Sequence, residues 1–154
     1  MFLALLLFFS FTPASLKQGD FDWLCGDAWK GTLTYINYSN GKKVTIPSEL
    51  KVLKLNDTTY SFATSYPKEP QANQIDTVSL MKKGTYINKE KVMIRSFSHD
   101  TLRIITEKAG TVNDTPAIFR YKYILSKNYY MQEKMEKKEK AFTFKVRNTY
   151  EFRR

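Results

Sequence analysis

Short segments of alternating apolar and polar residues, each ended by a turn signal, follow one another along most of this 154-residue chain. The clearest alternation is at 117–125, where Phe119, Tyr121 and Tyr123 fall on one side and Arg120 and Lys122 on the other. A period of two is typical of a β-strand that buries one face. The chain is therefore predicted to be all-β.

The segments 30–38 and 42–46 are joined by Asn40-Gly41. Asn-Gly tolerates the positive φ angles of a tight two-residue turn, so this pair predicts a β-hairpin. Further strands are predicted at 50–55, 59–65, 75–81, 85–88, 91–97, 101–107 and 140–152. Their connections are short, as a meander of sequential strands requires.

Two connecting stretches are less regular. Residues 66–73 contain Pro67 and Pro70, which cannot donate ladder hydrogen bonds, so this stretch is predicted to be a loop that serves as a lid or rim. Residues 128–138 combine good helix formers with strand-forming neighbours, and we predict a long, exposed, charged hairpin there.

About ten short strands and no clear helix favour a closed sheet, because closure removes the exposed strand edges. The predicted fold is a single antiparallel up-and-down barrel of about 8–10 strands, which suits the length of one domain. A two-sheet sandwich is the alternative.

The first eleven residues are almost wholly apolar and lead into Thr12-Pro13-Ala14, followed by Ser15. The run is shorter than the roughly twenty residues of a membrane-spanning helix. It indicates a secretory signal peptide over residues 1–14, although no Lys or Arg precedes it. Residues 15–154 are then an exported, periplasmic or secreted, soluble barrel domain.

Cys25 is the only cysteine and His99 the only histidine. An intramolecular disulfide is therefore excluded, and a convergent metal site lacks its usual ligands. We predict no metal, no cofactor and no catalytic residue, with Cys25 as a small buried side chain.

Residues 21–33 (FDWLCGDAWKGTL) resemble the opening of the calycin superfamily, in which a Gly and a Trp near the first strand seal one end of the barrel. Residues 31–47 and 66–80 are also similar to that group. The resemblance is to a lipocalin-like secreted bacterial protein. It implies a calycin-like barrel whose end plug is Gly26 and Trp29.

The lipocalin pattern has one residue between the Gly and the Trp, whereas Gly26 and Trp29 have two, which leaves Trp23 as an alternative plug. In lipocalins an Arg from a late strand often packs across the Trp. The resemblance implies Arg147 or Arg153 for that position.

The leading functional prediction is a non-enzymatic binding module that holds a small hydrophobic ligand inside the barrel. Its motivation is the excess of aromatic residues on faces predicted to point inward. The predicted interior residues are Tyr35, Phe62, Phe119, Tyr121, Tyr123, Phe142, Phe144 and Tyr150.

The alternative is an interaction protein that docks on anionic envelope lipid or polysaccharide, because residues 120–154 contain eleven Lys or Arg and only four Glu. The predicted docking residues are Lys134, Lys137, Lys138, Lys140, Lys145 and Arg147. A third hypothesis is an enzyme acting at the barrel mouth with Glu69 or His99, and it requires both side chains to line one open pocket. Nucleic acid is not a predicted partner, since the aromatics and the lysines fall on opposite strand faces.

Overall fold

Ten antiparallel strands form a closed barrel in the computed structural model, which describes residues 13–154. The predicted all-β up-and-down architecture is confirmed, and the sandwich alternative is excluded by the closure. The strands are β1 (Gly26–Ile36), β2 (Lys43–Asn56), β3 (Thr59–Ser65), β4 (Gln74–Met81), β5 (Tyr86–Ile87), β6 (Glu90–Ser98), β7 (Thr101–Val112), β8 (Thr115–Leu125), β9 (Tyr129–Lys138) and β10 (Lys145–Arg153). The predicted signal peptide lies outside the described residues except for Pro13 and Ala14.

Each strand pairs with its neighbours in sequence, and β1 pairs with β10 to close the barrel. Short 3-10 turns at Asp22–Leu24 and Pro70–Ala72 complete the regular structure. Across residues 13–154 the structure has no helix of the length and apolar character needed to cross a membrane.

The first hairpin has the predicted partners, but β2 runs through Pro47, where the sequence predicts a break. Pro47 is opposite Thr32 of β1, whereas the pairing of β2 with β3 begins only at Glu49. One edge of β2 is therefore free of a strand partner at Pro47. A proline is tolerated there because no ladder hydrogen bond is needed on that side.

The predicted hairpin strand in 128–138 is β9, but the prediction that it is exposed is wrong. Gln132 is opposite Tyr150 of β10, and Glu136 is opposite Phe119 of β8. Paired residues point to the same side of a sheet, so these polar side chains face inward. Glu136 is only 7% exposed.

Residues 13–25, here called the N-terminal segment, cover one end of the barrel. Leu16, Phe21 and Leu24 are buried in the core, and the Phe21 ring packs edge-on against Tyr60 and Phe62. Because the barrel is up-and-down, this closed end also carries the β2–β3, β4–β5, β6–β7 and β8–β9 turns. The other end is the mouth.

An ion pair fastens the N-terminal segment to the wall. Arg95 of β6 donates from Nε and Nη2 to the two carboxylate oxygens of Asp20, at 2.8 and 2.6 Å. The pair is largely shielded from solvent, and a two-point contact of this kind fixes direction as well as distance. It therefore holds Phe21 in place beneath the interior.

One part of the wall lacks strand pairing on the mouth side. β5 has only two residues, so β4 pairs with it only at Leu80 and Met81, and the pairing of β6 with β7 ends at Glu107. Residues 74–77 of β4 and 108–112 of β7 each have a strand partner on one edge only. We call this opening, above the β5–β6 turn, the wall gap.

Candidate functional site: a cavity inside the barrel

The barrel encloses a cavity of ≈ 220 Å³ between the N-terminal segment and the mouth. Aromatic rings form much of its wall, and amides, hydroxyls and two carboxylates form the rest. The lining residues are Phe21, Leu50, Phe62, Thr64, Gln74, Asp76, Thr77, Val78, Ile87, Asn88, Glu90, Tyr123, Tyr130, Gln132, Tyr150 and Phe152. The cavity is thus neither fully apolar nor filled by its own side chains.

The cavity reaches the surface at the wall gap. Gln74, Asp76, Thr77 and Asn88 line it and are exposed. The Asn88 amide donates to the Thr77 carbonyl at 2.9 Å and its Oδ1 accepts from the Ser79 amide at 2.9 Å. This side chain satisfies part of the β4 edge where no strand is present, and so fixes the lower border of the opening.

Glu90 is a half-buried carboxylate in the wall of the cavity. Its Oε2 accepts hydrogen bonds from Thr106 Oγ1 at 2.6 Å and from the Tyr123 hydroxyl at 2.8 Å. Its Oε1 accepts no hydrogen bond from any described residue. Neighbouring strands β7 and β8 therefore orient one oxygen and leave the other available.

Burial raises the pKa of Glu90, against the opposing effects of the Thr106 and Tyr123 hydrogen bonds and of the positive charges of Lys108 and Lys134. Neither lysine lines the cavity. Burial also raises the pKa of the Tyr130 and Tyr123 phenols. The tyrosines are therefore neutral hydrogen-bonding groups at physiological pH.

When the pKa of a carboxyl group is higher in the folded than in the unfolded chain, the protonated group favours the folded state. That contribution to stability is lost as the pH rises from the unfolded-state pKa through the folded-state pKa. We therefore expect Glu90→Gln, which does not titrate, to gain stability relative to wild type between about pH 4 and about pH 7. Urea unfolding across that range measures the difference. Glu49→Gln, at an exposed position on β2, is the control. If the difference in unfolding free energy between Glu90→Gln and wild type did not change with pH, the expectation would be contradicted.

A pair of tyrosines lies between the cavity and the mouth. The hydroxyls of Tyr66 and Tyr150 are 2.6 Å apart. Tyr150 lines the cavity, while Tyr66 lines a separate open pocket of ≈ 350 Å³ at the mouth. Glu69 and Ala72 of the predicted lid also line that mouth pocket. The structure thus places the 66–73 loop at the rim.

The predicted interior residues fall into three groups. Phe62, Tyr123 and Tyr150 line the cavity, and Tyr35 lines the mouth pocket. Phe119 and Tyr121 also face inward, but neither lines the cavity. Their rings instead contact the ammonium groups of Lys134 and Lys108, at 4.9 and 5.2 Å from the ring centres. Phe142 and Phe144 form the third group.

The interior positions predicted for Phe142 and Phe144 are wrong. Phe142 is 100% exposed between β9 and β10, and the Phe144 ring lies 3.9 Å from the guanidinium carbon of Arg120 on the outer surface. Both residues lie in the connection before β10, which begins only at Lys145 rather than at residue 140 as predicted, and a bulge follows between Val146 and Asn148. An extra residue reverses which side chains face inward, so the alternation cannot be extended back across it.

Trp29, the predicted plug residue, lies near the closed end of the barrel. Its side chain is 0% exposed, and the indole Nε1 donates to the Leu24 carbonyl at 2.8 Å. Gly26 has φ +130°, a backbone region open to glycine. Trp23, the alternative plug, is 38% exposed and packs on Phe97 at the surface.

The arginine over Trp29 is Arg154, so neither Arg147 nor Arg153 fills that position. The Arg154 guanidinium carbon is 4.4 Å from the ring centre of Trp29. Its three nitrogens donate to the carbonyls of Lys127, Cys25 and Trp23 at 2.9, 3.1 and 2.8 Å. One side chain thereby joins the N-terminal segment to the β8–β9 turn.

The remaining candidate residues are not brought together. His99 is exposed in the β6–β7 turn at the closed end, whereas Glu69 is at the mouth. Cys25 is half-buried, and burial raises the pKa of its thiol. Within the described part of the chain, no three His, Cys, Asp or Glu side chains are grouped to hold a metal ion. The requirement of the enzyme hypothesis, Glu69 and His99 in one pocket, is not met.

Two of the predicted docking residues are not on the outer surface. Lys134 and Arg147 line the mouth pocket, and Arg147 pairs with buried Glu136 at 3.4 Å. The bulge turns Arg147 toward the mouth. The proposed basic face is accordingly reduced to Lys137, Lys138, Lys140 and Lys145.

Sequence reasoning missed Gln74, Asp76, Glu90 and Gln132 as cavity residues. A signal existed for Gln132, because it is two residues after Tyr130 and therefore lies on the same face of the strand. The flanking charged residues nevertheless suggested that this face was exposed. Asp76 and Glu90 carried no local signal. Their place in the cavity follows from pairing with Phe62 and from the shortness of β5.

No family model and no curated protein matches this chain. The crystal structure of Rv2717c from M. tuberculosis is similar, with a TM-score of 0.57 at 10% identity, covering 86% of this chain and 92% of that one. At this identity the likeness is one of fold alone. It supports the barrel architecture.

Proposed function

We propose that the protein is a non-enzymatic binding module that holds a small ligand in the barrel cavity. The observation that carries this proposal is the ≈ 220 Å³ space with a route to solvent at the wall gap. Small barrels are often filled by their own side chains, whereas this one is not. The surrounding ladder and the fastened N-terminal segment give the cavity a fixed shape, which reduces the entropic cost of binding.

The lining modifies the predicted chemistry of the ligand. Phe62 and Phe152 present apolar faces, while Gln132, Glu90 and Asp76 present polar atoms. A purely apolar molecule would leave those polar groups without partners, which is costly in a shielded site. The proposed ligand therefore has both an apolar and a polar part.

The plug geometry supports a distant relationship to the calycin superfamily. A buried Trp at the start of the first strand, covered by a late Arg, is the arrangement that the resemblance implies, and Trp29 and Arg154 have it. The proposal of kinship rests on this feature together with the up-and-down barrel.

Export also belongs to the proposal. Cleavage after Ala14 would leave Ser15 as the first residue and retain Leu16, whose amide donates to the Gly84 carbonyl at 2.9 Å. The fully buried residues of the N-terminal segment, Leu16, Phe21 and Leu24, would remain, and only the partly buried Ala14 would be lost from the packing. Docking on an anionic surface receives less support, because two of its six residues face the mouth.

Native mass spectrometry of the protein purified gently from its host tests the binding proposal. We expect a small molecule bound at one per chain and released on denaturation. Gln74→Trp places a large side chain at an exposed cavity position and should abolish the adduct. Ile75→Trp, at the next residue, which is 76% exposed and does not line the cavity, should retain it.

A bare wild-type mass, or an adduct that survives Gln74→Trp, would argue against the cavity as a binding site. The same spectra test export, because removal of residues 1–14 changes the mass of the chain by a calculable amount. A full-length mass in the extracytoplasmic fraction would contradict the predicted cleavage.

A further inference from the structure

We propose that the ligand is a small organic cation, an aromatic or alkyl amine whose ammonium group pairs with Glu90. This inference rests on the proposed binding function and specifies its ligand class. The geometry behind it consists of the half-buried Glu90 carboxylate with one free oxygen, the charge of the cavity wall and the aromatic rings around it.

The cavity wall is acidic in a strongly basic protein. The chain has a formal net charge of +10, yet no Lys, Arg or His lines the cavity, whereas Asp76 and Glu90 both do. An anionic ligand would meet two carboxylates in the wall, because Lys108 and Lys134, whose charges act on Glu90, lie outside the lining. A cation would meet complementary charge in a site partly removed from water, where electrostatic interactions are stronger than at the surface.

Glu90 has an unused hydrogen-bond acceptor at the place where an ammonium group would bind. Thr106 and Tyr123 both donate to Oε2, at 2.6 and 2.8 Å, and no described residue donates to Oε1. The positive charges of Lys108 and Lys134 act on Glu90 from outside the cavity lining, and neither lysine forms a hydrogen bond or salt bridge with it. A partly shielded carboxylate oxygen gains from a directly bonded cationic donor. An ammonium group, with three donors and a positive charge, supplies the missing partner.

The rest of the lining suits the organic part of such a ligand. Phe62 and Tyr130 form an edge-to-face pair with ring centres 6.2 Å apart, and Tyr150 stacks on Phe152 at 6.0 Å. Aromatic faces attract cations and pack on apolar groups. At ≈ 220 Å³ the cavity is larger than the roughly 150 Å³ that accepts benzene, so a ligand of about ten non-hydrogen atoms fits.

Three probes of similar size separate charge from shape: 2-phenylethylamine, 2-phenylethanol and phenylacetate. Their affinities for residues 15–154 and for the full chain are measured by titration calorimetry at neutral pH. We expect the amine to bind at least about tenfold more tightly than the alcohol, and the carboxylate not to bind. Glu90→Gln should weaken amine binding by about tenfold or more, and Asp76→Asn should weaken it less, since Asp76 is exposed.

Glu49→Gln, outside the cavity, should leave the affinity for the amine unchanged. Alcohol or carboxylate binding equal to that of the amine, with loss in Gln74→Trp, would overturn the cation assignment and leave the cavity function standing. If wild type and Glu90→Gln bound the amine with equal affinity, the cation assignment would likewise be overturned and the cavity function would stand. Failure of all three probes to bind would overturn both. The probe comparison on the wild-type chain stands even if Glu90→Gln does not fold.

Discussion

Replacing Gly31 with alanine is expected to lower the free energy of unfolding by about 3 kcal/mol or more. Gly31 of β1 is opposite Phe152 of β10, at the seam that closes the barrel. A Cβ atom on Gly31 would lie 1.8 Å from the Glu151 carbonyl oxygen and 2.8 Å from Phe152 Cα. These are backbone atoms, so relief requires β1 and β10 to move apart.

Gly110→Ala is the matched control for this substitution. It is also a strand glycine, but its Cβ would meet the Phe119 ring at 2.6 Å, and a half-buried side chain can rotate away. We expect a loss of about 1 kcal/mol or less. Urea unfolding followed by circular dichroism gives both values. If Gly31→Ala and Gly110→Ala lowered the free energy of unfolding equally, the close approach of β1 and β10 at the seam would not be the reason that glycine is needed at position 31.

Trp29→Ala is expected to cost about 3–5 kcal/mol, the range for removal of a large, fully buried aromatic side chain. The substitution also removes the indole hydrogen bond to Leu24 and the surface beneath the Arg154 guanidinium. Trp23→Ala, which truncates the partly exposed tryptophan, is the control and should cost about 1 kcal/mol. The two variants therefore distinguish the plug from its alternative.

A double-mutant cycle tests whether Trp29 and Arg154 act together. Arg154→Met keeps the length of the side chain and removes its donors to three carbonyls. We expect a coupling energy of about 1 kcal/mol between Trp29→Ala and Arg154→Met, the size of a partly shielded cation–π contact. A coupling near zero would mean that the arginine stabilises the N-terminal segment independently of the tryptophan.

The fold could be predicted from alternation and turn residues because each hairpin is encoded locally. β8 shows this most clearly, since its inward residues Phe119, Tyr121 and Tyr123 are recognisable from period two alone. The first hairpin follows from Asn40-Gly41. Closure then follows from the number of strands and the cost of free edges.

The cavity could not be predicted in the same way because it depends on where the ladder is interrupted. β10 begins only at Lys145, which leaves Phe142 and Phe144 in the connection before it, and the bulge before Asn148 turns Arg147 to the mouth. The position of Glu90 beside the wall gap depends on β5 having only two residues. A single sequence has no distinctive residue pattern that marks a bulge or the number of residues over which two strands pair.

The wall gap gives this barrel a window in its side. A ligand that enters through residues 74–77 and the β5–β6 turn passes neither the N-terminal segment nor the loop at 66–73. Exchange by this path requires no hinge, in contrast to sites whose turnover waits for a lid to open. If the proposed binding function holds, we expect the rate of binding to be set by encounter at this window and by its acidic border at Asp76.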